Sequence, residues 1–154
     1  MDIVLVSTIA WTLAQGLKVI LQTHANRRFE WSYFTSSGGF PSAHSAFVTC
    51  LMLQIGFLEG FRTGIFALAF GFWAVVVYDS FNVRYAVGIY SQILNRMGHE
   101  LAKKSGTSYT PIKEILGHTP IQVLFGILFG AAIAIIRVKL FPFAVPFFLR
   151  FWRF

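Results

Sequence analysis

The chain has 154 residues, of which 56% are hydrophobic and only 12% are charged. A soluble domain carries about 25% charged residues, so 13 basic and 6 acidic side chains are too few to cover a water-exposed surface. The net charge of +7 comes from scattered residues, which argues against a disordered chain and against a nucleic-acid partner. The composition therefore predicts a single integral membrane domain, residues 1–154, in contact with anionic lipid.

Four apolar segments of the chain are predicted to be membrane-spanning helices. A helix needs about 20 apolar residues to cross ~30 Å of hydrocarbon. The segments of this kind are residues 3–22, 42–60, 63–81 and 120–138. The first segment follows an acidic residue, Asp2, rather than a basic region, so we do not expect a signal peptide. The predicted fold is an all-α membrane bundle of about four helices.

Residues 83–104 are predicted to form an amphipathic helix rather than a span. Apolar residues recur there at helical spacing, and polar or basic residues fill the opposite face. The apolar positions are Val83, Ala86, Val87, Tyr90, Ile93, Leu94, Met97 and Leu101. Such a helix is expected to lie on the membrane surface or to cap the bundle.

The C-terminal third of the chain carries two further signals. Residues 141–154 are aromatic and contain Pro142 and Pro146, so we predict an interfacial anchor rather than a fifth span. Gly126 and Gly130 form a G-x-x-x-G pattern, which favours close helix contact. We expect a homodimer through this glycine face, because a four-helix unit of this size has little depth in which to bury a charged pocket.

The distribution of basic residues predicts the orientation of the bundle. The loop 23–41 and the segment 82–118 lie on one side of a four-span topology. Together with Lys18 they hold 8 of the 13 Lys and Arg residues. Cytoplasmic segments carry the excess of Lys and Arg, so we predict that this side faces the cytoplasm, in a bacterial inner membrane or an organelle membrane.

Four residues with acid–base chemistry are predicted to converge at this end of the bundle. Lys18 and Asp79 lie near the ends of the first and third spans, and His44 and His118 lie at the starts of the second and fourth. Helix N-termini favour anions, phosphate above all. The set suits phosphoryl transfer, in which a neutral imidazole attacks phosphorus and a protonated one gives its proton to the leaving group. This scheme needs neither a metal nor a cofactor.

Three segments, taken together, resemble the divergent type-2 phosphatidic acid phosphatase family, which is related to acid phosphatases and vanadium-dependent haloperoxidases. They are GGFPSAHSAFVT, YDSFNVRYAVG and LGHTPIQVLFG, in this order. The resemblance runs from about Lys18 to Gly130. It implies a membrane enzyme that hydrolyses a phosphomonoester or pyrophosphate of a phospholipid or polyprenyl lipid through a phosphohistidine intermediate.

The resemblance also implies roles for individual residues. His118 matches the nucleophile of the third family motif. His44 matches the proton donor of the second motif, P-S-G-H, in which Ala43 replaces the glycine. Lys18 matches the lysine of the first motif, and Arg27 or the arginine after it stands for the motif's arginine, at a longer spacing.

Two positions depart from the third motif. Ile112, with Lys113 beside it, stands at the motif's arginine, and Gln122 stands at its aspartate. A carboxylate there fixes the tautomer of the imidazole, a task that falls to Gln122 or to Asp79 in this chain. Gln122 has a second interpretation, because Thr119 and Gln122 have the T-x-x-Q spacing of a capping box.

The sequence thus predicts a site with two sets of residues. The catalytic set is His118, His44, Asp79 and Gln122, and the phosphate-binding set is Lys18, Ser42, Arg84, Arg27 and Lys113. Lys18 could instead snorkel, and Asp79 could pair with Arg84. The alternative function is a non-catalytic membrane protein that binds anionic lipid head groups. A transporter is disfavoured by the few polar residues at the span centres, and a haloperoxidase by the membrane setting.

Overall fold

The computed structural model describes residues 2–35, 38–114 and 117–140, so the predicted interfacial tail, residues 141–154, lies outside it. The described residues form six helices joined by loops. The helices are α1 Ile3–Asn26, α2 Ser32–Thr35, α3 Ala43–Glu59, α4 Gly64–Phe81, α5 Val83–Ser105 and α6 Pro120–Leu140. The fold is the all-α membrane bundle that the composition predicts.

Capping side chains set the starts of α1, α3 and α4. Asp2 accepts a hydrogen bond from the Val4 N–H at 2.9 Å, and the hydroxyls of Ser42 and Thr63 cap α3 and α4. These oxygens satisfy N–H groups that have no partner within the helix. α1 ends at Arg27, which has a left-handed φ of 51°. The helix is therefore four residues longer than the predicted first span.

α3 is the central helix and packs against α1, α4 and α6. Small buried side chains make the contacts with α1 and α6. Cys50 of α3 clusters with Ala10 of α1 and Ala134 of α6, and Ala46 of α3 clusters with Ala14 of α1. Small residues allow helix backbones to approach closely, which matters in a membrane because lipid supplies no hydrophobic driving force between helices.

Three stretches of the described chain are helical, long and apolar enough to cross a membrane. They are Ile3–Asn26, Gly64–Ser105 and Pro120–Leu140, and the second has 42 residues because it combines α4 with α5. α3 is apolar but has only 17 residues, which corresponds to ~25 Å of helix. The four predicted spans therefore correspond to three long helices and a shorter one that is enclosed by the others.

The glycine face of α6 is occupied within the chain. Gly126 and Gly130 lie against the backbone of Ser42 and Ala46, so close that a Cβ on either glycine would collide with a carbonyl oxygen. The homodimer expected through these glycines stays a prediction, and within one chain this face is already in contact with α3. A G-x-x-x-G pattern predicts a close helix contact but does not say whether the partner helix belongs to the same chain.

α5 presents its apolar stripe to the surroundings and a polar face to the protein. Its buried residues are Gly88, Ser91 and Asn95, whereas residues such as Val87 and Leu101 are at least half exposed. The helix matches the predicted amphipathic segment to within a residue. Its placement on the membrane surface stays a prediction.

Candidate active site

Four helices bring two histidines and two cations together at one end of the bundle. Lys18 lies in the second half of α1, His44 in the first turn of α3, Arg84 in the first turn of α5, and His118 two residues before α6. The charges of Arg84 and Lys18 both act on His44. Those of Lys18 and His44 act on His118. Lys18, Arg84 and His118 therefore all lie within electrostatic range of His44.

Two of these four side chains are buried. Lys18 is 3% exposed and His118 is 4% exposed. The loop before α3 covers the stem of Lys18, because a Cβ added to Gly39 would lie 2.7 Å from Lys18 Cδ. Gly39 also has a φ of 116°, a conformation that glycine adopts at little cost. This position thus requires glycine both for its backbone and for the space that Lys18 occupies.

Backbone contacts hold His118 beside α4 and α5. The His118 N–H donates to the Ser80 carbonyl at 3.2 Å. Gly117 lies against the backbone of Arg84 and Tyr85, where a Cβ would collide. The imidazole therefore projects from a segment that is fixed on the junction of two helices.

Gln122 contacts the His118 ring and caps α6 at the same time. Its Oε1 lies 3.3 Å from His118 Nδ1 and accepts the Thr119 N–H at 3.0 Å. The Gln122 N–H donates to Thr119 Oγ1 at 3.4 Å, which completes the capping box. The two interpretations of Gln122 are thus compatible. Because Oε1 can only accept, this contact is a hydrogen bond when Nδ1 carries the ring proton, which leaves the lone pair of the neutral ring on Nε2.

The surroundings of His118 lower its pKa below the ordinary value of 6.5. Burial is the largest cause, because it disfavours the charged ring, and the charges of Lys18 and His44 act in the same direction. Hydrogen bonds with Gln122 and with the Gly39 backbone oppose this shift. The lowered pKa makes the ring neutral at neutral pH, which is the form that a nucleophile requires.

Ser42 and His44 lie in different environments although both belong to the P-S-x-H motif. Ser42 is fully buried, and its Oγ accepts the Ser45 N–H at 3.4 Å and shares a hydrogen bond with Ser45 Oγ at 2.9 Å. The Ser42 N–H donates to the Gln122 carbonyl at 3.1 Å. These contacts join the start of α3 to the start of α6. His44, in contrast, is exposed and accessible to a ligand.

Asp79 pairs with Arg84 rather than with His118. Arg84 Nε donates to Asp79 Oδ2 at 2.6 Å. Of the two residues predicted to orient the nucleophile, Gln122 is the one that contacts the imidazole in the described structure. An exposed ion pair adds little stability, but this one fixes the direction of a guanidinium whose charge acts on His44.

The structure does not bring Arg27 or Lys113 to the site. Arg27 is exposed beyond the end of α1, ~13 Å of helix past Lys18. Lys113 is exposed in a segment that is held against the middle of α5. Neither residue is among the charges that act on the two histidines. Their motif positions do not determine the path of the loops that carry them.

The donor groups of the site suit an anion. It contains two imidazoles, the ammonium of Lys18 and the guanidinium of Arg84, and all four can carry a positive charge. Within residues 2–35, 38–114 and 117–140, no group of three or more His, Cys, Asp and Glu side chains could hold a metal ion.

Two contributors to the site were not identified from the sequence. They are Gly39, in the loop before α3, and Asn95, on α5. Asn95 is 7% exposed and hydrogen-bonds the segment that leads to His118. The double glycine shortly before Pro41 was a weak signal for the role of Gly39. The sequence gives no signal for the role of Asn95, because a buried polar residue of an amphipathic helix cannot be distinguished by its spacing from an exposed one.

These features define the class of protein, an all-helical membrane protein with a candidate anion site between two histidines. The chain belongs to the Divergent PAP2 family, which it matches over residues 1–133. It is also similar to the "Uncharacterized membrane protein YuiD" of Bacillus subtilis (strain 168), with 30% identity over 146 residues that cover 88% of this chain and 92% of the relative. No solved structure matches the chain. The family match includes every residue of the candidate site.

Proposed function

We propose that the protein is a membrane lipid phosphatase that hydrolyses a phosphomonoester or pyrophosphate of a phospholipid or polyprenyl lipid. Membership of the Divergent PAP2 family supports this reaction class, and the apolar helices support a lipid substrate. The observation that carries the proposal is the pairing of a buried imidazole, His118, with an exposed one, His44, beside Lys18 and Arg84.

His118 is the nucleophile in the proposed reaction. With its Nδ1–H donated to Gln122, Nε2 attacks phosphorus, and the N–P bond forms as the bond from phosphorus to the leaving oxygen breaks. Protonated His44 gives its proton to that oxygen. Water then attacks the phosphohistidine while His44 takes a proton from it. Phosphate leaves, and the electron pair of the N–P bond returns to Nε2.

Lys18 and Arg84 are the proposed ligands of the nonbridging phosphate oxygens. Lys18 is buried, so water screens its charge less than that of a surface lysine. Arg84 is held by Asp79, and its charge acts on His44. The N-terminus of α3 adds oriented N–H groups. Such preorganised charges stabilise the extra negative charge of the transition state.

Phosphate release from a panel of lipids tests this function. Wild-type protein in liposomes is expected to release phosphate from phosphatidate, phosphatidylglycerophosphate or a polyprenyl pyrophosphate. His118→Ala should abolish release, and His44→Ala should slow it about 100- to 10,000-fold. His24→Ala is the matched control, because His24 is exposed in the last turn of α1. Activity that survives His118→Ala overturns the mechanism.

Non-catalytic binding of anionic lipid head groups is the second candidate function. It is favoured by the neutral side chain of Gln122 at the position of an orienting carboxylate and by the pairing of Asp79 with Arg84. Calorimetric binding of phosphate or vanadate, without hydrolysis of any lipid in the panel, would support it. Loss of that binding in Lys18→Ala would assign the anion to the same site.

A further inference from the structure

A single side chain fastens the segment that leads to His118 onto α5. Asn95 is 7% exposed. Its Nδ2 donates to the Ile112 carbonyl and to Glu114 Oε1, both at 2.8 Å. Its Oδ1 accepts the Ile112 N–H at 2.8 Å and the Tyr109 hydroxyl at 2.9 Å. The amide has two donor and two acceptor positions, and this one segment engages all of them.

The ring of Tyr109 adds a packing contact to these hydrogen bonds. It lies over Gly98, so close that a Cβ would collide with the ring. It also meets the ring of His99 edge-on, with 5.1 Å between the centroids. The segment is therefore held on α5 by both polar and apolar contacts around Asn95.

The same segment has a second anchor at the start of α5. Gly117, directly before His118, lies against the backbone of Tyr85. Five residues lead from Ile112 to Gly117 and can span at most about 18 Å. The ten residues of α5 from Tyr85 to Asn95 cover ~15 Å. Because the chain between them cannot exceed this reach, a displacement of Ile112 away from α5 limits where Gly117 and the residue after it can lie.

We propose that Asn95 is a positioning residue for His118. Its four hydrogen bonds hold residues 109–114 on α5 and thereby keep the imidazole against Gln122 and Lys18. The consequence for catalysis rests on the proposed phosphatase function. The placement of the His118 ring does not, and it can be measured without any turnover.

Asn95→Asp tests the placement of the His118 ring. The substitution preserves the shape of the side chain and both hydrogen bonds that Oδ1 accepts. It replaces Nδ2 by an oxygen that repels the Ile112 carbonyl and the Glu114 carboxylate. We expect the His118 ring, which is 4% exposed, to react with diethylpyrocarbonate at least about fivefold faster in this variant because the segment opens more often. Mass spectrometry measures this rate. Gln92→Glu, which adds the same charge at an exposed position of α5, should leave it unchanged. An unchanged rate in Asn95→Asp overturns the proposal.

Tyr109→Phe provides a milder variant that keeps the test valid if Asn95→Asp does not fold. It removes one of the four hydrogen bonds and leaves the ring over Gly98. We expect a smaller but measurable acceleration of His118 modification. No acceleration in this folded variant would contradict the assigned role of Asn95.

Turnover gives a second readout that separates positioning from folding. Asn95→Asp should lower kcat about 100-fold with little change in KM, because a misplacement near 1 Å has costs of this size. The acid limb of the pH profile should also move to higher pH, as the less buried ring regains its ordinary pKa. A smaller folded fraction would leave that limb in place. If wild type hydrolyses no lipid but Asn95→Asp still accelerates modification of His118, the phosphatase function fails and the positioning role stands.

Discussion

At the scale of single residues, Gln122 makes the contacts of an orienting carboxylate without its charge. Its Oε1 lies 3.3 Å from His118 Nδ1 and accepts the Thr119 N–H. A neutral acceptor fixes the tautomer, but it does little to stabilise the positive ring that forms during phosphoryl transfer. This one position therefore controls both the rate and the pH dependence that we expect.

Gln122→Glu is expected to raise the pKa of His118, because a carboxylate favours the protonated ring. The ring attacks only when neutral, so activity falls as the pH falls through this pKa. In wild type we expect that limb below pH 6.5, because burial lowers the pKa of His118 from this ordinary value. The substitution should move it upward by about one pH unit, and Gln92→Glu should not. Initial rates of phosphate release across the pH range measure the shift, and an unmoved limb would show that Gln122 does not act on the reacting imidazole.

The residues that could be predicted from the sequence are those at helix ends. Lys18, His44 and His118 lie near the ends of apolar spans, and antiparallel packing brings such ends together. Gly39 and Asn95 could not be predicted in this way. Their contacts depend on the paths of two loops, and hydrophobic periodicity carries no information about those paths.

At the scale of helices, the contact of α3 with α6 explains how the two histidines are held together. Gly126 and Gly130 let α6 approach the backbone of α3 closely. The Ser42 N–H and the Gln122 carbonyl join the starts of the two helices at 3.1 Å. The spacing of the glycines predicted a close contact, but it could not identify α3 as the partner.

Gly130→Ala is expected to destabilise the bundle by about 2 kcal/mol, because its Cβ would collide with the Ala46 carbonyl and push the helices apart. Gly71→Ala is the matched control, since nothing lies within 4 Å of a Cβ at that position. It should be neutral or stabilising by up to about 1 kcal/mol. Denaturant unfolding in mixed micelles measures both. Equal stabilities of the two variants would contradict the proposed packing of α6.

Most helix bounds follow from the sequence, but short or polar elements do not. α3, α4 and α5 agree with their predicted ranges to within a residue at each end. α2 was not predicted, because Ser32–Thr35 is a single turn in a polar loop. Gln15 supports it by donating to the Phe34 carbonyl at 2.6 Å, a tertiary contact that local sequence does not reveal.

At the scale of the whole molecule, the candidate site lies at one end of the bundle, so the orientation of the chain decides which leaflet supplies the lipid. The excess of basic residues predicts that this end faces the cytoplasm. The homodimer expected from the sequence stays a prediction, and Gly126 and Gly130 are in contact with α3 within one chain.

Cysteine labelling tests the orientation. Lys104→Cys and Arg62→Cys place exposed thiols at opposite ends of the predicted topology, and the native Cys50 is buried. A membrane-impermeant maleimide should label position 62 in intact cells, and position 104 only after the membrane is opened. The reverse pattern would show that the site faces away from the cytoplasm.

The central claim is that His118 carries the phosphoryl group while a lipid phosphate is hydrolysed. The most direct measurement is to mix the protein with radiolabelled lipid phosphate, quench it in alkali, which preserves phosphohistidine, and map the label by mass spectrometry. We predict label on the peptide that contains His118 in wild type and none in His118→Ala. Release of phosphate without label on His118, or label that persists in His118→Ala, would contradict the account.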